Sequence, residues 1–244
     1  MTRAAALALV LLAGCLDAPP EATEKAFDAA PIDAAGLDPS LVLWYPMDVP
    51  PQEGVVTDDA LDHDAECGDC PVVVDGHDGS GALDFEGTDS LSVEDGDRLR
   101  TDAGTWAMWT RFDDVGFDVM MARPIGDQLE DDVVFFVSGG LVSFESGPGE
   151  HIETAGPVSP GLWVHIAATW TQQEHSIYVD GILAATGVAS AFEYQSVELL
   201  IGADRDNGEL GLFFDGALDD LRIYDRALTE AEIAALAGRP TAAR

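Results

Sequence analysis

From Leu41 onward the chain is a succession of short runs that alternate between apolar and polar residues, and nothing with helical periodicity appears before Leu228. That pattern restricts the fold more than any other feature. Side chains two apart share one face of a strand, whereas a helix needs its apolar positions three and four apart. Leu41–Met47, the pair GALDFEG and SLSVED that begins at Gly81, Thr105–Phe112, Met120–Arg123, Val133–Val137 and Leu141–Glu145 read as strands. His151–Thr154 alternates less clearly, and Trp163–Trp170, Ser176–Val179, Ile182–Ala185 and Val197–Ile201 resume the series. Asp180-Gly181 between two of these runs is a hairpin signal, because both residues tolerate positive φ. Phe213–Asp225 reads as a strand, a tight Asp215-Gly216 turn and a second strand. In that second strand Leu218, Asp220, Arg222 and Tyr224 are expected on one face, and Ala217, Asp219, Leu221, Ile223 and Asp225 on the other. About twelve short strands separated by turn residues predict one all-β, two-sheet antiparallel sandwich, and 244 residues suffice to give it a full core.

One short helix closes the series. Thr229 followed by Glu232 is a capping box, in which each side chain satisfies an orphan backbone N–H, and Gly238 suits the position just past the last turn. Leu228, Ile233 and Leu236 give this helix an apolar side that must dock on the sandwich.

The amino-terminal segment is read as an address. Arg3 supplies a positive region and Ala4–Ala13 an apolar run of ten residues, too short to span a bilayer as a mature helix. It ends in Leu12-Ala13-Gly14-Cys15, which resembles a bacterial lipobox. The resemblance implies that residues 1–15 are a lipoprotein signal peptide and that Cys15 is acylated, against the alternative of an ordinary signal peptide with an incidental cysteine. Residues 16–40, rich in Pro, Ala and Asp without periodicity, are expected to form a tether, and 239–244 a short tail. On this reading the protein is exported and held on a bacterial envelope membrane by its lipid.

Charge excludes several partners. Forty-six acidic residues face eleven basic ones, ten arginines and Lys25, for a net charge of −35. Nucleic acid and anionic lipid surfaces would be repelled by such a protein. The excess carboxylates favour solubility and suit hard cations such as calcium.

Between the first strand and Gly81 lies the one long irregular stretch. It holds Asp58, Asp59, Asp62, Asp64, Glu66 and Asp69 together with Cys67 and Cys70. In an exported protein Cys67-Gly-Asp-Cys70 is expected to close as a disulfide. The competing arrangement takes His63 and His77 as two further ligands around zinc, but its order is not that of a common finger, and an oxidising compartment competes for the thiols.

Six stretches in order resemble the laminin-G-like, concanavalin A-like domains: LVLWYPMD (Leu41–Asp48), GALDFEG (Gly81–Gly87), LWVHIAATW (Leu162–Trp170), SIYVDGILAATG (Ser176–Gly187), LLIGAD (Leu199–Asp204) and the closing FFDGALDDLRIYDRALTEAEI. The resemblance covers roughly residues 41–238 and implies a jelly-roll sandwich. Family members often bind one calcium ion between the loop after the first strand and the last strand. Carried onto this chain, the ligands are Asp48 and Asp219, with Asp58 and Asp59 as further candidates. For Asp219 a structural hydrogen bond is the equal alternative. No EF-hand occurs, since Cys67 stands where its glycine is needed and Val73 where its bidentate glutamate is needed.

Lone His165 is expected to be a satisfied core histidine, and Trp106, Trp109, Trp163 and Trp170 to pack in or against a sheet rather than form a sugar-stacking platform, while a loop rim or the one outward face leaves room for an aromatic to stack on a sugar ring. The related glucanases carry Glu-x-Asp-x-Glu on one strand, and that string is absent, as are G-x-S-x-G and H-E-x-x-H. Three functions remain: non-catalytic binding of a glycan or cell-surface protein, a structural spacer of the envelope, or an enzyme with an unrecognised site.

Overall fold

The computed structural model describes residues 38–124, 131–146, 151–188 and 194–239. The chain separates into a short unit, Met1–Pro31, and a main unit, Ile32–Arg244, and every described residue belongs to the second. Cys15, the tether up to residue 37 and the tail beyond Arg239 lie outside the described residues.

In chain order the strands are β1 (Leu41–Tyr45), β2 (Val55–Val56), β3 (Ala65–Glu66), β4 (Val72–Asp75), β5 (Gly81–Glu86), β6 (Leu91–Val93), β7 (Gly104–Phe112), β8 (Phe117–Pro124) and β9 (Asp131–Ser138). They continue as β10 (Leu141–Ser146), β11 (His151–Glu153), β12 (Trp163–Trp170), β13 (Glu174–Val179), β14 (Ile182–Val188), β15 (Leu199–Ile201), β16 (Asp204–Asp206), β17 (Glu209–Gly211) and β18 (Asp215–Tyr224). The helix α1 is Glu230–Leu236. One eight-stranded sheet runs β14-β13-β12-β7-β18-β5-β4, with β1 also on β18, and the other runs β11-β10-β9-β8-β15-β6-β3-β2. All pairings are antiparallel, as the alternation predicted. Five strands are not among those expected from the sequence: β2, β3, β16 and β17, two or three residues long, and β4, whose run of three valines shows no alternation and which lies, with β2 and β3, in the stretch expected to be irregular.

The core lies between the sheets. Trp106, Met108, Phe112, Ile166 and Trp170 of the first sheet meet Phe135, Val137 and Phe144 of the second. Phe144 stands edge-on to Trp106 at 6.2 Å and stacks on Trp170 at 5.8 Å. Trp106 and Trp170 are therefore core residues, as expected.

The last strand differs from its sequence reading in two ways. There is no turn at Asp215-Gly216, because β18 begins there and pairs at once with β7 and β5. Gly216 serves close approach instead: a Cβ on it would stand 2.2 Å from the Arg111 carbonyl oxygen. The simple alternation also breaks. Asp220 has φ 49° and the β7 register slips between Asp219 and Arg222, a β-bulge that inserts one extra residue. Leu218, Leu221 and Ile223 consequently point into the core, while Asp219 and Arg222 lie on the outer face.

Helix α1 has the expected capping box at Thr229 and Glu232, and Gly238 adopts φ 65° after it. It docks on the outer face of the first sheet, where Leu228 and Ile233 pack with Ala107, Ala167, Tyr178 and Tyr224. Arg226 fastens this element, donating to Glu232 at 2.7 Å and to Asp38 at 2.5 Å. Among the described residues, contacts of the folded unit thus begin at Asp38.

Candidate functional site

The outer face of the first sheet beside the helix is polar and aromatic. Strand register puts Val72, Asp84, Ala217, Arg111 and Trp163 in one row across five strands, since directly opposed residues share a face. Arg111 bridges the small Ala217 to reach Asp84 at 2.9 Å, and its guanidinium lies over the Trp163 ring, 5.5 Å from the centroid. Burial raises the Asp84 carboxyl against the pull of Arg111. Trp163 is half-buried and Leu162 beside it is exposed.

The next row holds Asp219, Trp109 and His165. His77, from the β4–β5 turn, closes over it. Its backbone N–H donates to Asp219 Oδ2 at 2.9 Å, and its ring Nδ1 lies 2.6 Å from the same oxygen. The imidazole stacks on Trp109 with centroids 4.3 Å apart and meets Trp163 edge-on at 6.4 Å. Burial raises the Asp219 carboxyl, and its bonds to His77 oppose that shift. His165 is buried as expected but not satisfied: its Nδ1 has no partner, and burial, with Arg222 and His77 adding, pushes its pKa down to about 3. It is a neutral ring edge-on to Trp109.

The predicted ligands divide between several surroundings. Cys67 and Cys70 form the expected disulfide, which removes their thiols from the zinc alternative, and His77 is committed to Asp219. Asp48 is exposed and accepts the Gly81 N–H at 3.0 Å, while Asp219 is buried on the other side of the same turn. A Cβ on Gly81 would lie 2.5 Å from the Asp48 carbonyl oxygen, and one on Gly76 would lie 2.3 Å from the Gly81 oxygen and 2.6 Å from Asp219 Oδ2. Oxygens thus crowd both glycines, a donor set of the hard kind that suits calcium. The ligand atoms that lie within 4.8 Å of one another are those of His77, Asp78 and Asp219, and Asp48 is outside that group. Asp59 is exposed and shares a cleft of about 230 Å³ with Asp48. Asp58, expected as a further ligand, instead receives four backbone N–H groups, from Trp44, Ala60, Leu61 and His63, and folds the long loop back on β1.

Arginine pairing matters for any ligand. Residues 38–239 contain eight Lys+Arg, all arginine and all described. Arg98 bonds Asp225, Arg100 bonds Asp97, Arg111 bonds Asp84, and Arg123, buried, bonds Asp95 at 2.5 Å. Arg205 bonds Glu198, Arg222 bonds Asp220, and Arg226 bonds Asp38 and Glu232. Among the described residues Arg239 alone has no carboxylate partner, and it donates to the Asp180 carbonyl. A second cleft, about 1090 Å³, is lined by Asp62, Asp64, Glu66, Glu94, Asp95 and Glu198.

Two eight-stranded antiparallel sheets with a polar outer face and a docked C-terminal helix define a jelly-roll domain of the lectin kind. The chain belongs to the concanavalin A-like lectin/glucanases superfamily, through a laminin-G-like match over residues 85–234. Among curated proteins it is 29% identical over 170 residues to mouse sushi, von Willebrand factor type A, EGF and pentraxin domain-containing protein 1, covering 64% of this chain and 5% of that one. Mouse pentraxin-related protein PTX3 is 30% identical over 116 residues, 43% of this chain and 30% of that protein. The chain therefore spans only a small part of these relatives. Among solved structures, domain 4 of the Geobacillus stearothermophilus arabinanase AbnA, in complex with arabinotriose, superposes with a TM-score of 0.65 at 18% identity, over 81% of this chain and 98% of that domain. The binding domain of botulinum neurotoxin DC, in complex with SialylT, gives 0.62 at 10% identity, over 82% and 51%.

Proposed function

We propose that this is a non-catalytic glycan-binding module, carried outside the cytoplasm on a lipid anchor at Cys15, that receives its ligand on the outer face of the first sheet. The observation that carries the reading is the in-register row of Asp84, Arg111 and Trp163, where the guanidinium of a paired donor and acceptor lies over one face of a half-exposed indole and leaves the rest of the ring to a ligand. A sugar ring stacks on an aromatic face while its hydroxyls bond to such groups. Saccharide complexes of the arabinanase and neurotoxin domains support the same use of the fold. A non-catalytic role is favoured by the packing of the acid–base pairs: Ser146 and His175, with Nε2 2.7 Å from the hydroxyl, are buried between the sheets, and the His77 ring is stacked on Trp109. Calcium at Asp48 and Asp219 belongs to the same proposal, supported by the crowded oxygens at Gly76 and Gly81. Among the described residues no helix is long and apolar enough to cross a membrane.

The test is a glycan array probed with the full chain, repeated with Trp163→Ala and Asp84→Asn. Retention of a glycan by the parent, lost in both variants at unchanged melting temperature, is the expected outcome. A parent chain that retains nothing overturns the reading.

A further inference from the structure

Resting on that reading, we infer that the glycan is uncharged, and that the Arg111–Asp84 ion pair is what sets this specificity. Recognition of a carboxylated or sulfated sugar needs a cation with spare valence, most effectively a guanidinium able to fork onto two oxygens. Among the described residues no arginine side chain at the site lacks a carboxylate partner. Seven of the eight arginines among the described residues are already bonded to a carboxylate, and the eighth, Arg239, is engaged with Asp180. At the site Arg111 donates to Asp84 at 2.9 Å and has a second carboxylate, Asp113, at 3.6 Å, so the local charge is negative. The other acceptor for anions in such folds, a free helix N-terminus, is filled here by Thr229 and Glu232.

The long-range field acts in the same sense. A net charge of −35 repels a polyanion before contact, and the cleft of about 1090 Å³ is itself lined by carboxylates. A neutral sugar meets no such barrier. Its hydroxyls both donate and accept, and a guanidinium held beside a carboxylate presents both complements within one ion pair, with the indole of Trp163 for the ring's apolar face. Trp163 supplies affinity; the pairing of Arg111 supplies the rejection of acidic sugars.

The experiment measures binding of the full chain to five oligosaccharides of matched length: glucose and arabinose oligomers, a galacturonate oligomer, a sialylated oligomer and a deacetylated glucosamine oligomer. A neutral oligomer should bind with a Kd that changes less than about twofold between low and high salt, since screening acts on charged partners. The two acidic oligomers should not bind. The double variant Asp84→Asn, Asp113→Asn leaves Arg111 a free guanidinium and should gain acidic-oligomer binding of about tenfold or more over the parent, which loss of fold cannot mimic. Parent binding of galacturonate or sialylated oligomer as tightly as any neutral one overturns the inference and leaves the glycan reading intact. So does preferential, steeply salt-dependent binding of the glucosamine oligomer. Failure to bind all five, with no gain in the double variant, overturns both.

Discussion

His77 and Asp219 are 142 residues apart in sequence, and their side chains meet with Nδ1 2.6 Å from Oδ2. The contact joins the turn that follows the long irregular stretch to the strand that closes the sandwich. Replacing His77 by Ala leaves a buried carboxylate short of one partner and uncovers the Trp109 ring. A loss of about 1–3 kcal/mol, the range for a buried polar group stripped of its bond, is expected in urea unfolding. A variant as stable as the parent would mean that the backbone N–H of residue 77 alone satisfies Asp219.

Calcium is tested at the same place. Titrating millimolar calcium into chelator-treated protein should raise the melting temperature by several degrees, since a ligand bound only to the folded state stabilises it. The rise should vanish in Asp219→Ala and in Asp48→Asn, the second at an exposed position that does not threaten folding. No rise in the parent removes calcium from the proposal and leaves His77 as the partner of Asp219 among the described residues.

Arg123 and Asp95 form an ion pair whose guanidinium is buried and also donates to the carbonyls of Leu99, Gln195 and Val197. Removing one partner strands a buried charge. Asp95→Ala should therefore cost about 3–5 kcal/mol, and Asp95→Ala combined with Arg123→Met should recover most of it. Thermal unfolding of the two variants side by side decides whether the pair or the packing matters.

Asp118 supplies a pH dependence. Burial first, then Asp114 and Asp215, push its carboxyl up to about 6. The folded state thus holds this proton more tightly than the unfolded chain, whose aspartates titrate near 4. The contribution is complete below about pH 4 and is lost as pH rises through 6. Glu232 acts oppositely: bonding to Arg226 lowers it to about 2, so its contribution is present above its unfolded value and lost only as pH falls toward 2. Asp118→Asn should flatten the loss between about pH 4 and 6 and be more stable than the parent at pH 7. An unchanged stability profile would show that Asp118 is ionised at no cost.

The Cys67–Cys70 disulfide closes a very short loop where the chain passes from β3 of one sheet to β4 of the other. In the chain-entropy account such a ring contributes about 2 kcal/mol. Cys67→Ser with Cys70→Ser should lose that amount in chemical denaturation and keep the fold.

The sequence alone determined the class of fold, the antiparallel pairing, the core tryptophans, the disulfide and the capped helix. Each of these follows from interactions between near neighbours or from a period set by the backbone, which any window of residues displays. It misread β18. The bulge at Asp220 exists because β18 must pair with β7 along its length while also receiving β5 and then β1, a constraint imposed by three other strands. That single inserted residue decides that Asp219 and Arg222 share the outer face. The tertiary structure likewise decided the partner of Asp219 and the row of Asp84, Arg111 and Trp163. Those residues come from separate strands, and their register depends on hydrogen bonds between segments far apart in the chain. No local pattern encodes which arginine meets which carboxylate when forty-six acids are available; only the folded sheet brings one within 2.9 Å of Arg111.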